Sequence, residues 1–384
     1  MPFRNLGAAA PDAPSALMIR CRADLRSRKL DLGVSVYRDT LGQTPIFAAV
    51  KRAEAELLSS RSSKTYLGSE GDQEFVALLA AEAFSMDRPI AGLQTIGGTG
   101  GLRLAGDLLA RTAPGRRLWL GAPTWANHLP IFSACGLQVA SCANHKLLDA
   151  LQAAAPGDAV LIQACCHNPT GLDGTAAYWD ALVDVVLARG LVVLVDFAYQ
   201  GLGNGWREDC MALLHLLERV PNLLIAYSCD KNFGLYRERV GALFVVCPKP
   251  AEVHSLLGHL IALARVNYSM PPDHGAAVVR CILESPALKQ VWRFELEAMR
   301  TRIRRLRAAL AAYGRVGAVD LSQLDRGTGM FALLPIGPAA IDRLRSEFGV
   351  YLGPEGRINI AGLAEDTVHL FVDALDQVQE RLAG

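Results

Sequence analysis

The stretch Leu191-Val192-Val193-Leu194-Val195-Asp196-Phe197-Ala198-Tyr199-Gln200 decides the architecture of this chain. Its five consecutive aliphatic residues carry no polar break, which fits a strand buried on both faces rather than an amphipathic helix. Strands of that kind belong to parallel sheets covered by helices on each side. The run ends in an acid, so Asp196 falls at the carboxyl end of the strand, where open α/β sheets bind their ligands. Taken alone, such an aspartate reads first as a helix cap.

Outward from this strand the pattern repeats. Arg117–Leu120, Ala159–Ile162 and Leu223–Ala226 are short apolar runs with helix-sized segments between most of them. Ala242–Val246 is a further strand-sized run, and Gln94–Ile96 precedes a Gly-rich turn and the helix-like Leu102–Arg111. Alternation of this kind indicates an α/β domain with a largely parallel sheet. Upstream, Phe47, Val50, Ala53 and Leu57 recur at helix spacing. After Pro272 the chain turns to long helix, with Leu296, Met299, Ile303, Leu306 and Leu310 on one face. The arginines at 300, 302, 304, 305 and 307 are read as its solvated side. Strands near Met330–Leu334 and Arg357–Ile360, with a closing helix near Thr367–Arg381, indicate a small α+β domain.

Composition narrows the function. The 384 residues carry 39 Lys+Arg against 38 Asp+Glu, which argues against a general nucleic-acid binder. Half the residues are apolar, yet no run approaches the ~20 residues of a transmembrane helix, so no membrane partner is expected. The opening Met-Pro-Phe-Arg-Asn-Leu-Gly lacks a charged segment followed by an apolar one, so no leader is expected there. Nine cysteines without a C-x-x-C pair are read as free thiols of a reducing, cytoplasmic protein. His254 and His259 share a helix with no third ligand, and no metal site is expected.

Two further segments join Asp196. Gly97-Gly98-Thr99-Gly100-Gly101-Leu102-Arg103 lies between a strand and a helix, where backbone N–H groups and the Thr99 hydroxyl can face an anion. It is neither a P-loop nor the dinucleotide fingerprint, and by itself a structural turn is an equal reading. Tyr227-Ser228-Cys229-Asp230-Lys231-Asn232 follows the strand Leu223–Ala226 directly, in a chain with only seven lysines. A strand-end lysine, a strand-end aspartate and a Gly/Thr turn together suit one cofactor, pyridoxal 5'-phosphate. It needs an amine for a Schiff base, a carboxylate for its pyridine nitrogen and donors for its phosphate.

Across nearly its whole length the chain resembles the aspartate/aromatic aminotransferase family, class I aminotransferases of pyridoxal phosphate fold type I. The likeness rests on Val36-Tyr37-Arg38-Asp39, Tyr66-Leu67-Gly68, Gly98-Thr99-Gly100 and Pro123-Thr124-Trp125-Ala126-Asn127-His128. It continues through His167-Asn168-Pro169-Thr170-Gly171, Asp196-Phe197-Ala198-Tyr199-Gln200-Gly201, Lys231-Asn232-Phe233-Gly234-Leu235-Tyr236 and Glu238-Arg239-Val240-Gly241. Arg265, Tyr268-Ser269, Pro271-Pro272 and Gly356-Arg357 complete it.

The resemblance implies an α/β fold with a large cofactor-binding domain over residues 45–299, built on a mostly parallel seven-stranded sheet. Residues 1–44 and 300–384 would form an N-terminal arm and small α+β domain. It implies that Lys231 forms the Schiff base and moves the proton, that Asp196 pairs with the pyridine nitrogen, and that His128 supports Asp196. Asn168 and Tyr199 would bond the phenolic oxygen, and Trp125 would stack on the ring. Gly98, Thr99, Ser228 and Arg239 would hold the phosphate, with Tyr66 reaching in from the partner of a homodimer. Arg357 would grip the substrate α-carboxylate and Arg265, again across the dimer, a side-chain carboxylate. Asn168, Trp125 and Ser35 would line the substrate. The activity implied is amino-group transfer between an acidic or aromatic L-amino acid and a 2-oxo acid.

Four positions depart from the family pattern: Asp230 in place of Ser or Ala, Gln163 in place of histidine, Ser35 in place of Gly, and Met270 in place of Asn. The segment between Val139 and Leu151 is also shortened. An acid beside the Schiff-base lysine opposes the lowered amine pKa that the chemistry uses. These changes open an alternative, a repurposed enzyme of the same fold performing elimination, replacement or C–C bond formation.

Overall fold

The computed structural model describes residues 13–84 and 90–383, and the N-terminal heptapeptide read above lies outside them. The described chain divides into two compact units, one spanning Pro45–Thr301 and one made of the residues up to Thr44 with those from Arg302 onward.

In the larger unit seven strands form one sheet. Their spatial order is Ile90–Ile96, Val240–Val246, Leu223–Ser228, Val192–Phe197, Ala159–Gln163, Arg117–Ala122 and Gln138–Ala143. Val240–Val246 runs antiparallel to both neighbours, and every other pairing is parallel. Its orientation follows from the short loop after Ser228, which holds no crossover helix and so returns the chain antiparallel. The mostly parallel sheet expected from the apolar runs is therefore present. The strand that opened the reading starts one residue later and runs on through Asp196 and Phe197. Asp196 stays in the ladder because it is in register with Gln163 on one side and Ala226 on the other. The strand Gln138–Ala143 left no apolar run in the sequence because it is a half-exposed edge strand.

The Gly-rich segment is not a free turn. It forms the first turn of the helix Gly97–Thr112, which lays Leu102, Ala105, Leu108 and Leu109 against Leu118, Leu161, Leu194 and Leu224 of the sheet. Val193, Val195 and Ile225 alternate to the other face and are equally buried, as a doubly covered parallel sheet requires. Each such side chain contributes roughly 1.5–3 kcal/mol on burial. No helix among the described residues is long and apolar enough to cross a membrane.

In the smaller unit Leu30–Leu32 pairs in parallel with Val350–Leu352, and Phe331–Leu333 pairs antiparallel with Arg357–Asn359. The helices Pro338–Phe348 and Val368–Ala383 complete it, around a core that includes Leu306, Leu310, Leu344, Phe371 and Leu375. The arginines of the long helix, Pro286–Ala311, correct one expectation. Arg302 and Arg307 are buried rather than solvated. Arg307 donates to the carbonyls of Leu324, Thr328, Gly329 and Phe331, and Arg302 to those of Arg38 and Leu363. A guanidinium has donors enough to close several chain turns at once, which a periodicity reading cannot reveal.

Candidate active site

The parallel strands Ala159–Gln163, Val192–Phe197 and Leu223–Ser228 end at one edge of the sheet and present Gln163, Asp196 and Ser228 there. Asp196 is buried, and its Oδ2 lies 2.9 Å from Nε2 of the fully buried His128. The other ring nitrogen, Nδ1, is 2.7 Å from the Thr124 hydroxyl. Gln163 orients the outer part of this string. Its Oε1 accepts from the Asn168 backbone N–H at 2.9 Å, so its Nε2 donates to the Asn168 carbonyl at 2.9 Å and to Thr124 Oγ1 at 3.3 Å. The Thr124 hydroxyl, receiving a hydrogen from Gln163, keeps its own hydrogen available for His128 Nδ1. Asp196, a carboxylate that can only accept, takes the Nε2–H of His128. Asn168 Nδ2 donates to the Tyr199 hydroxyl at 3.1 Å, so Asp196, His128, Asn168 and Tyr199 belong to one assembly.

Lys231 stands in the loop after Leu223–Ser228, with its ammonium 5.0 Å from the centre of the Tyr199 ring. The residues that follow it hold that loop. Asn232 donates to the Tyr227 hydroxyl at 3.0 Å and its carbonyl accepts from Trp292 Nε1 at 2.7 Å. Phe233 stacks on Trp292 with ring centres 4.4 Å apart. Burial lowers the Lys231 pKa, opposed by the carboxylates of Asp230 and Asp196 and aided by Arg239. The acid beside the lysine therefore acts with the sign expected from sequence, and desolvation outweighs it.

The anion end lies around the start of helix Gly97–Thr112. Gly97 has φ +61°, and a Cβ there would stand 2.6 Å from Arg239 Nη2, so only glycine allows the guanidinium this close. A Cβ on Gly98 would lie 3.1 Å from the Ser228 Cβ, which brings the turn against the end of that strand. Thr99 is half-buried in the same first turn. Arg239 is ion-paired with Asp230 and also donates to the Tyr236 carbonyl at 3.1 Å. Asp230 does not point away, as an adjacent side chain often does. It is buried, against the half-buried arginine.

An amine, a carboxylate backed by a histidine, and a glycine-lined turn beside an arginine are the donor set that pyridoxal phosphate requires. The half-buried Trp125, edge-on to His128 at 5.3 Å between ring centres, leaves an aromatic face beside them. The residues present fit that group.

Tyr66 is 87% exposed and Arg265 is exposed in the last turn of helix Pro250–Tyr268; neither side chain makes a hydrogen bond or ion pair among the described residues. In the smaller unit Arg357 is buried, donates to the Gly33 carbonyl at 2.6 Å and lies over the Phe331 ring. Asn359 donates to the carbonyls of Val34 and Val36, both at 2.7 Å, which holds half-buried Ser35 in the adjoining stretch. Met270 accepts from the Leu67 N–H at 3.2 Å. Sequence reasoning gave Thr124 no part. Its signal was its place four residues before His128, the spacing that lets its hydroxyl meet the ring.

Comparison with known proteins gives the family of the chain. The chain matches the family of aminotransferase class I and II over residues 27–375. It is 48% identical to tyrosine aminotransferase of Rhizobium meliloti (strain 1021), covering 94% of this chain and 96% of that one. It is 40% identical to aspartate aminotransferase of Salmonella typhi, over 97% of this chain and 99% of the relative. Among solved structures it superimposes with TM-score 0.94 on the aromatic-amino-acid aminotransferase from Burkholderia pseudomallei covalently bound to pyridoxal phosphate. The two are 34% identical, covering 98% of this chain and 99% of that chain. These relatives are aminotransferases, which disfavours a repurposed chemistry. With a family match over most of its length and the fold to go with it, the chain belongs to the class I and II aminotransferases and is an enzyme that transfers amino groups.

Proposed function

We propose that this enzyme uses pyridoxal 5'-phosphate to move an amino group between an acidic or aromatic L-amino acid and a 2-oxo acid, as a cytoplasmic homodimer of amino-acid metabolism. The reading is carried by one observation, the meeting of Lys231, Asp196 and the Gly97 turn at one sheet edge. When bound, the cofactor supplies an aldehyde for the amino group and a ring that draws electrons from Cα.

The chain's own groups do the rest. Lys231, its pKa lowered by burial, offers its amine and then carries the proton at its Nζ. Asp196 holds the proton at the ring nitrogen, and the Nε2–H of His128 fixes the carboxylate in place. Asn168 and Tyr199 bond the phenolic oxygen, and Trp125 covers the ring and excludes water. Gly98, Thr99, Ser228 and Arg239 hold the phosphate. Arg357 takes the α-carboxylate, a task suited to its planar guanidinium, beside Ser35. Tyr66 and Arg265 complete the partner's site, which explains why they stand exposed in one chain. Leu67 and Val266, 44% and 83% exposed, extend that surface with apolar area that a second copy would cover. Arg265 supports a dicarboxylic partner substrate, while the relatives named for tyrosine and aromatic amino acids support an aromatic one.

A single-turnover half-reaction tests the reading. The loaded enzyme is mixed with L-tyrosine, L-aspartate or L-glutamate alone, with no second substrate. One matching 2-oxo acid per site, with the nitrogen retained on the protein, is expected. Release of ammonia, or catalytic turnover without an acceptor, contradicts it. Sharing of sites is tested by mixing Lys231→Ala and Arg265→Ala chains after partial unfolding. Heterodimers would restore roughly a quarter of native activity if one composite site per mixed dimer is intact.

A further inference from the structure

The anion end contains a carboxylate where an incoming phosphate would meet only donors in an ordinary cradle. Asp230 is buried, and its Oδ2 is committed to Arg239. The same oxygen would lie 3.4 Å from a Cβ on Gly97, so cation and carboxylate stand together over the first turn of helix Gly97–Thr112. The second oxygen, Oδ1, is buried without a hydrogen-bond donor. The Asp230 N–H is directed at Ser228 Oγ, 3.3 Å away, which ties the acid to another expected phosphate residue. The charged and titratable groups around it are Arg239, Lys231, the buried Cys229 thiol and, beyond Lys231, Asp196. The charge of Arg239 is thus already balanced inside the cradle.

We propose that Asp230 makes this seat take the phosphate with one proton still on it, as the singly charged form. A doubly charged phosphate would meet the carboxylate as a like charge in a poorly solvated site. A singly protonated phosphate brings a P–OH, which donates to the carboxylate while its charged oxygens accept from Arg239, Ser228 and the helix N–H groups. No bond forms or breaks; one solution proton accompanies the ligand whenever the pH lies above the phosphate's second ionisation. The inference rests on the cofactor reading above and concerns only the ionic form that is bound.

The test uses pyridoxine 5'-phosphate, which has no aldehyde and so makes no covalent bond to Lys231. It is titrated into the cofactor-free full chain at about pH 5.5 and about pH 8, on either side of the second phosphate ionisation near 6. The wild type is compared with Asp230→Ser and with the isosteric Asp230→Asn. Both variants are expected to bind about tenfold or more tightly than the wild type at the higher pH, with the advantage falling below about threefold at the lower. The phosphorus resonance of the wild-type complex at the higher pH is expected at the singly protonated position, and that of Asp230→Ser at the doubly charged one. Variants that bind more weakly at both pH values would show that Asp230 merely props Arg239, and would overturn the inference. A doubly charged resonance in the wild type overturns it alone and leaves the cofactor reading standing. Absence of binding by every chain at both pH values overturns the two together.

Discussion

The two ends of the candidate site are built on opposite principles. At the Asp196 end the side chains form one continuous hydrogen-bonded string, Gln163 to Thr124 to His128 to Asp196, with Asn168 clasped by Gln163 from both sides. These residues come from strand ends and the turns that follow them, so sheet register places them before any ligand arrives. At the Gly97 end the groups are arranged around a close approach, with Arg239 neutralised by Asp230 and one carboxylate oxygen left without a donor. The difference teaches that one end is preorganised by satisfied polar contacts, whereas the other must exchange a partner on binding.

Lys231 lies between the ends, and its removal is the largest expected effect. Lys231→Ala should keep both ends folded and lower amino-transfer turnover by about 10⁴-fold or more, read by steady-state kinetics. Activity within tenfold of native would show that neither end serves the lysine. Asp196→Ala strikes the saturated end directly. It leaves the buried His128 N–H without its acceptor, at a cost of about 1–3 kcal/mol in chemical denaturation of the cofactor-free chain, with turnover down roughly 10²–10⁴-fold. Unchanged stability would mean that the string is not preorganised.

Gly97→Ala strikes the other end. Its Cβ would lie 2.6 Å from Arg239 Nη2 at φ +61°, and the strain of about 1–2 kcal/mol should weaken phosphate-ligand binding roughly tenfold. If the two ends are independent, the His128 ring resonances stay as in the wild type. Gln163→Leu sharpens the contrast further. Nitrogen resonances of labelled histidine should show His128 only as the Nε2–H form in the native chain and a mixture in the variant. The stability loss should be about 1 kcal/mol. A single tautomer in both would remove Gln163 from the string.

A pH dependence is also expected at the Asp196 end. Burial lowers the His167 pKa from 6.5 to about 4, with the His128 ring adding to the shift. Between those values the unfolded chain binds the extra proton, so stability should fall as pH drops from 6.5 towards 4. His167→Asn should flatten that part of the denaturation profile, and an unaltered slope would assign it to other groups.

Much of this enzyme was legible in its residues alone. The run Leu191–Val195 specified a doubly covered strand because burial on both faces leaves no polar position, and the position of Asp196 and Lys231 at strand ends followed from chain order. Such features are local, set by which residue follows which. Tertiary structure alone decided which way the Gln163 amide faces, since that depends on Asn168 turning its N–H back onto Gln163 Oε1. It also decided that Arg307 lies buried among four carbonyls although its helix reads as solvated there. The pairing of Asp230 with Arg239 is of the same kind. Sequence showed an acid beside the lysine, and only the return of the chain along Val240–Val246 carried the arginine to it, because an ion pair is fixed by distance in space rather than by order along the chain.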